Sequence, residues 1–437
     1  MYIMKFKLLS AVILTALSAT AFSATEQTFS DGLKIKLNEK STGSDLRMYK
    51  GKPVLAISSP DNSKISHNYF DEFNVGKEGM YIGNHKGANT IITEVVSHSP
   101  SLLKGNIDII GKLGTLVIAN PNGITTGSGF GVSNTKNLEL ATAAIVNSSD
   151  TARVETMKNS NDGKLIINDT NITGLDKVSL ISNNISVEKS KIDVKELNVH
   201  LLASAEYETR RLSGESVHED TYDITDRRKK KVTIVSRGPS KLSIDNNSSI
   251  LADNININLL ESEFRNNGYI GGREILNIRS GKSHTGIYSR IDNGDIVHMK
   301  NYGTLTGKNL KIAAYDHGYM ENHGKITSRA LMSFDLNNGS TFVNYGDINN
   351  YGRYNNNETR ITFDYGTFEN NGKMRSNNIA ITNHSNGKLL NKGSLDFMHS
   401  DFTDHKKYTK GSKEDQSFNF ISTGKSPDNA HYTEADF

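Results

Sequence analysis

Histidines, carboxylates and glycine-rich turns are the parts of this 437-residue chain that chemistry could use. His317 and His323 flank one corner of a repeated pattern and carry the imidazoles of a divalent-metal site. The chain's 13 histidines are scattered, however, and no metal-binding helix pattern accompanies this pair. Gly127-Ser128-Gly129 has the composition of a phosphate-cradling loop, but no helix-period segment follows it to supply the amides that such a loop needs. Asp and Glu do not recur at matched places in successive repeats, so no acid–base pair for polysaccharide cleavage stands out. We expect no catalytic residue, no metal, no cofactor and no enzyme activity.

The side chains with the most to do are amides. Asn120-Pro121-Asn122-Gly123-Ile124 follows an apolar run, Leu116 to Ala119, and precedes the glycine-rich stretch Gly127 to Gly131. Proline fixes φ at the second place, asparagine tolerates the third and glycine closes the fourth, which predicts a tight turn ending a strand. Asn120 and Asn122 can bond their own backbone there. About fifty residues upstream stands Ser66-His67-Asn68-Tyr69-Phe70-Asp71-Glu72-Phe73-Asn74-Val75.

The order and spacing of these two blocks resemble the amino-terminal secretion domain of the two-partner secretion exoproteins, the filamentous haemagglutinin, large haemolysin and contact-dependent inhibition family of Gram-negative bacteria. The likeness takes in Ile57 to Pro60, Gly76 to Asn84, Ile91 to Val95, Leu102 to Gly105, Asn134, Leu138 to Leu140, Gly163 to Leu165 and Lys177 to Ile181. Many haemolysin-type members carry a cysteine pair just after the turn, where this chain has Thr126 and Ser128. The resemblance implies recognition by an outer-membrane β-barrel transporter with periplasmic POTRA domains. It points to Ser66, His67, Asn68, Tyr69, Phe73, Asn74 and Val75, with Asn120 to Ile124, as the transporter-binding motif. It also implies a secreted or surface-exposed adhesin, with a host cell, a polysaccharide or a bacterial surface as ligand. A haemolysin or contact-dependent toxin relative, and a truncated remnant of a larger exoprotein, are the alternatives.

Bulk properties fit an exported, elongated chain. Lys5 and Lys7, the apolar run Leu8 to Leu17, and the small residues Ala19, Ala21 and Ser23 describe a signal peptide over residues 1–23. The apolar run is too short to span a bilayer of about 30 Å. A formal net charge of +3 is too small to imply a nucleic-acid partner. No cysteine is present, which suits a chain that must thread a narrow pore before it folds. A hydrophobic content of 35% is low for a compact globule and tolerable for a solenoid with a thin core.

These motifs need a scaffold, and a repeat supplies it. An apolar residue, Asn, Gly and another apolar residue recur at alternate positions. The copies are Phe264-Asn266-Gly268-Ile270, Met299-Asn301-Gly303-Leu305, Met320-Asn322-Gly324-Ile326, Phe342-Asn344-Gly346-Ile348, Phe368-Asn370-Gly372-Met374 and Leu389-Asn391-Gly393-Leu395. A period of about 21 residues with strand-like alternation and no helical stretch predicts an all-β, right-handed parallel β-helix. Asn and Gly tolerate the left-handed backbone of a sharp corner, and Gly324, Gly346 and Gly372 are expected either to have positive φ or to stand in crowded contact with the next coil. The asparagines either stack as a ladder along the axis or stand as isolated corner residues. At that period residues 30–400 would make about 17 coils.

The expected domains are the secretion domain at 24–240, β-helix repeats at 241–400 and a disordered polar tail at 401–437. The charged segment 204–240, with Arg227-Arg228-Lys229-Lys230-Lys231, reads as an extruded hairpin or loop. Its basic run either meets a polyanion or is solvated beside its acidic neighbours. A monomer is expected.

Overall fold

The computed structural model describes residues 25–147, 155–159, 163–201, 206–211, 230–234, 240–259, 262–280, 298–315, 317–350, 357–404 and 419–422. The expected signal peptide and the run Arg227 to Lys229 lie outside these residues. The described residues form strands, turns and bends without a helix, and the chain is a parallel β-solenoid. Its contacts divide it into two units. One holds residues 1–195 with 204–213 and 223–234, and the other holds 196–203, 214–222 and 235–437.

The first unit coils through three sheets. Ile65–Phe73, Thr90–Val95, Thr115–Ala119, Asn137–Ala141 and Lys177–Ser182 stack in parallel register. Ser101–Leu103, Ile124–Thr126, Leu165–Asn168 and Asn184–Glu188 form a second face. Lys52–Ala56, Met80–Asn84, Asn106–Gly111 and Gly131–Ser133 form a third. Branched apolar side chains of all three point inward; Leu55, Ile82, Ile91, Leu103, Leu116, Ile124 and Leu138 are buried. The parallel pattern expected from residue 30 begins later than that. Glu26–Thr28, Lys34–Leu37 and Ile65–Phe73 pair antiparallel, and so do Asp45–Tyr49 and Lys52–Ala56. An antiparallel cap removes the bare edge that a first parallel coil would otherwise present.

The extruded element is larger than the sequence indicated. Glu206–Arg211 and Lys230–Ile234 do form an antiparallel hairpin. Glu155–Asn159 joins Ala143–Asn147 to that hairpin, giving a four-stranded antiparallel sheet. The 143–159 strands went unread because their alternation is indistinguishable from that of a rung.

In the second unit the coils that carry Asn266 to Asn391 each have a short arm, an Asn-x-Gly corner and a long arm. The short arms include Ser262–Asn266, His298–Asn301, Tyr319–Asn322, Thr341–Asn344, Thr367–Asn370 and Lys388–Asn391, paired in sequence. The long arms are strands such as Thr304–Ala314 and Lys325–Asn337, bent by a register shift between Gly307 and Asn309. Phe334, Phe342 and Phe368 pack together inside, with ring centroids 4.8–5.2 Å apart. Asn266 pairs directly with Asn301, so the 35 residues from Gly268 to Gly303 hold no further rung of this face. The solenoid has about 12 turns, fewer than the 17 coils expected. Within the expected tail, Asn419–Ser422 adds a strand beside Lys388–Asn391, while residues 405–418 and 423–437 lie outside the described ones.

Candidate functional site

The turn at Asn120 is knitted into the coils on both sides. Gly123 N–H donates to the Asn120 carbonyl at 3.1 Å, closing the expected β-turn, and Gly123 has a positive φ of 117°. Asn120 is fully buried. Its amide nitrogen donates to the Ser99 carbonyl and to Ser101 Oγ, each at 2.9 Å. Its amide oxygen accepts from the Asn122 backbone and side chain at 3.0 Å, and Asn122 donates onward to the Ser97 carbonyl at 2.7 Å. Downstream, Ile124 N–H donates to the Lys164 carbonyl at 2.9 Å. A Cβ on Gly163 would stand 2.1 Å from the Pro121 carbonyl oxygen, which explains glycine there. Two amides thus tie the turn to Ser97 to Ser101, and the backbone of Ile124 ties it to Lys164.

The Ser66 block does the same two strands earlier in the stack. Ser66 Oγ donates to the Ser58 carbonyl at 2.8 Å. Asn68 accepts from the Ser58 N–H and from Ser44 Oγ, each at 2.8 Å, and donates to the Ile92 carbonyl at 3.1 Å. Asn74 donates to the Lys34 carbonyl and accepts from the Leu102 N–H, which ties the cap to the second face. Phe73 and Val75 are in the core, and Phe70 meets Phe73 edge-on at 4.8 Å. His67 and Tyr69 stack with centroids 4.1 Å apart. His67 Nε2 lies 2.6 Å from Glu94, whose other oxygen accepts the Ile145 N–H at the root of the extruded sheet. Sequence reading missed Glu94 and Ser97 to Ser101 as partners, because only the coil spacing brings them to the motif. Ser66, Asn68, Phe73, Val75, Asn120 and Ile124 are all buried, whereas His67, Tyr69, Pro121 and Asn122 remain partly accessible.

In the repeats, the asparagines form a ladder. Asn266, Asn301, Asn322, Asn344 and Asn370 each donate to the next amide oxygen at 2.7–2.8 Å, ending on Asn391, and all six are buried. Each link satisfies two amides that would otherwise be costly to bury. Of the two readings of the repeat glycines, positive φ or crowding by a neighbouring coil, the second holds. Gly268, Gly303, Gly324, Gly346, Gly372 and Gly393 do not have positive φ. A Cβ on Gly303, Gly324, Gly346, Gly372 or Gly393 would meet the previous repeat glycine's carbonyl oxygen at 2.0–2.2 Å. Close approach, not left-handed backbone, requires glycine at these corners.

The remaining candidates fall into structural places. Gly127 to Phe130 form a turn between strands, with Phe130 N–H donating to the Gly127 carbonyl. The His317 ring lies against Gly339, and His323 Nε2 is 2.9 Å from Glu321. No group of three His, Cys, Asp or Glu with metal-site geometry exists among the described residues.

The chain matches the TPS secretion domain family over residues 36–296 and belongs to that family. The match runs past residue 240, where sequence reading had ended the domain. The chain is 32% identical over 173 residues to tRNA nuclease CdiA of Escherichia coli strain NC101, covering 34% of this chain and 5% of that protein. It is 27% identical over 300 residues to a hemolysin of Proteus mirabilis, covering 61% of this chain and 18% of that one. The solved filamentous hemagglutinin secretion domain overlaps 89% of this chain and 99% of its own, at 16% identity and a TM-score of 0.37. The chain therefore spans under a fifth of the length of these curated relatives. Domains of this family work with a dedicated outer-membrane transporter of Gram-negative bacteria, and their exoproteins are secreted or surface-exposed.

Proposed function

We propose that this chain is exported through a β-barrel transporter whose POTRA domains recognise residues 24–240, and that it acts outside the cell as a non-enzymatic adhesin. The observation that carries the export reading is the burial of the motif. A partner cannot touch Asn120, Asn68 or Phe73 in the folded coil, so it meets these side chains in the unfolded chain and the accessible His67, Tyr69 and Asn122 afterwards. Folding then supplies direction. Each coil that emerges buries its apolar stripe on the one before, at about 25 cal/mol per Å², and sliding back becomes costly. The adhesin reading rests on long regular arms that present polar side chains to solvent and on repeats without a recognisable catalytic set.

A toxin relative is the second reading, favoured by the hemolysin and nuclease similarities. Co-expression with the cognate transporter tests the first. Replacing Asn120 and Asn122 by Ala should lower the protein in the medium while leaving precursor processing intact; normal amounts outside would refute the motif's role. Adherence without erythrocyte lysis by the exported protein supports the adhesin, and lysis supports the toxin.

A further inference from the structure

The residue between Asn and Gly in the repeat varies, and in three consecutive coils it is aromatic. Tyr302 stacks on His323 and His323 on Tyr345, each with centroids 4.9 Å apart and planes within 14°. Tyr302 and Tyr345 are 43% and 48% exposed, which is unusual for side chains of this size. The Arg265 guanidinium covers the outer face of Tyr302 at 5.0 Å. The coils before and after carry Asn267 and Asn371 at this place, so the stack is confined to these three.

This stack is one wall of an open trough of about 520 Å³. Glycines form the floor. The opposite wall is Lys325, Asp347 and Lys373, which stand in register on successive coils and are all exposed. None of these three forms an ion pair among the described residues. Two unpaired ammonium groups flank one carboxylate beside an aromatic wall.

The chemistry selects the occupant. The floor has no backbone groups to offer. Gly324 and Gly346 N–H donate to Asn301 and Asn322 carbonyls, and their own carbonyls accept from Asp347 and Lys373 N–H, all at 2.9 Å. An added peptide strand would find nothing to pair with. Bases of a nucleic acid need free aromatic faces, and here the rings take up one another's faces. A sugar chain needs neither. Its apolar C–H groups pack on the ring edges that the stack leaves open, its hydroxyls donate to Asp347, and carboxylates on it complement the two lysines.

We propose that this trough is a binding site for an acidic polysaccharide, laid along the coils with its carboxylates on Lys325 and Lys373. The proposal deepens the adhesin reading and rests on it. Purified mature protein, free of cells and transporter, separates the two: binding is measured whether or not export or adherence occurs. The probe is polygalacturonate, with neutral dextran and a single-stranded oligonucleotide as controls, followed by calorimetry at rising salt. Binding should weaken with salt. Lys325→Gln with Lys373→Gln should weaken it about tenfold. Tyr345→Ala should also weaken it, whereas Tyr345→Phe should keep it. Lys308→Gln, at an exposed pair with Glu274, should change nothing. Absence of polygalacturonate binding, equal affinity for dextran or the oligonucleotide, or the same loss from Lys308→Gln would each overturn the site. If Tyr345→Ala melts abnormally, the double lysine variant decides alone, since both residues are exposed.

Discussion

Gly346→Ala is the sharpest test of what shapes the corners. The backbone at Gly346 is not left-handed, so alanine has no conformational penalty there. Its Cβ would stand 2.1 Å from the Gly324 carbonyl oxygen and 2.8 Å from the His323 carbonyl carbon. Both obstacles are backbone atoms that cannot rotate away. Relief requires the coils to part by about 1 Å, which pushes the 2.9 Å bonds from Gly346 N–H to Asn322 and from Asp347 N–H to Gly324 out of range. Overpacking at about 1–3 kcal/mol, plus about 1 kcal/mol for each of the two weakened bonds, predicts a loss of about 3–5 kcal/mol. Gly43→Ala is the counterpart: φ is 79° and nothing lies within 4 Å of the added Cβ. Backbone strain alone should cost it about 1–2 kcal/mol. Urea unfolding followed by far-UV circular dichroism and tyrosine fluorescence reads both, since the chain has 17 tyrosines and no tryptophan. If Gly346→Ala costs no more than Gly43→Ala, the steric account of the repeat glycines is wrong.

Three further outcomes follow from the same core. Asn344→Ala should cost about 2–4 kcal/mol by urea unfolding, because it leaves the Asn370 amide oxygen and the Asn322 amide short of a partner; a neutral result would reduce the ladder to a by-product of coil stacking. Phe342→Ala should cost about 3–5 kcal/mol, with the cavity falling between Phe334 and Phe368, and a loss below 1 kcal/mol would mean the aromatic cluster is loosely packed. Burial alone would raise the Glu321 carboxyl, but hydrogen bonds from His323, Tyr319 and Lys300 outweigh it and hold the group below its ordinary 4.5. Burial and the same bond push the Tyr319 hydroxyl up to about 12. A depressed carboxylate contributes stability that is complete above 4.5 and lost as pH falls through its folded value. Glu321→Gln should therefore narrow its stability gap to the native chain as pH drops below 4.5, and a constant gap across that range would remove the linkage.

Local chemistry made much of this protein legible in advance. Alternating apolar residues around Asn-x-Gly specify strands, and their recurrence specifies coils, because no single coil can bury its own stripe. Asn120 to Gly123 reads as a turn from proline and glycine alone. What lay beyond the sequence depends on which coil stacks on which. Asn120 reaches Ser99, and Asn68 reaches Ile92, only because the coil pitch brings residues about twenty apart into hydrogen-bond range. From sequence the repeat glycines stay open between positive φ and crowding, and the neighbouring coil decides for crowding. The antiparallel cap and the extruded sheet have the same alternation as the rungs, so only pairing partners distinguish them. The Tyr302, His323 and Tyr345 wall is likewise three unrelated residues until register places them one above another.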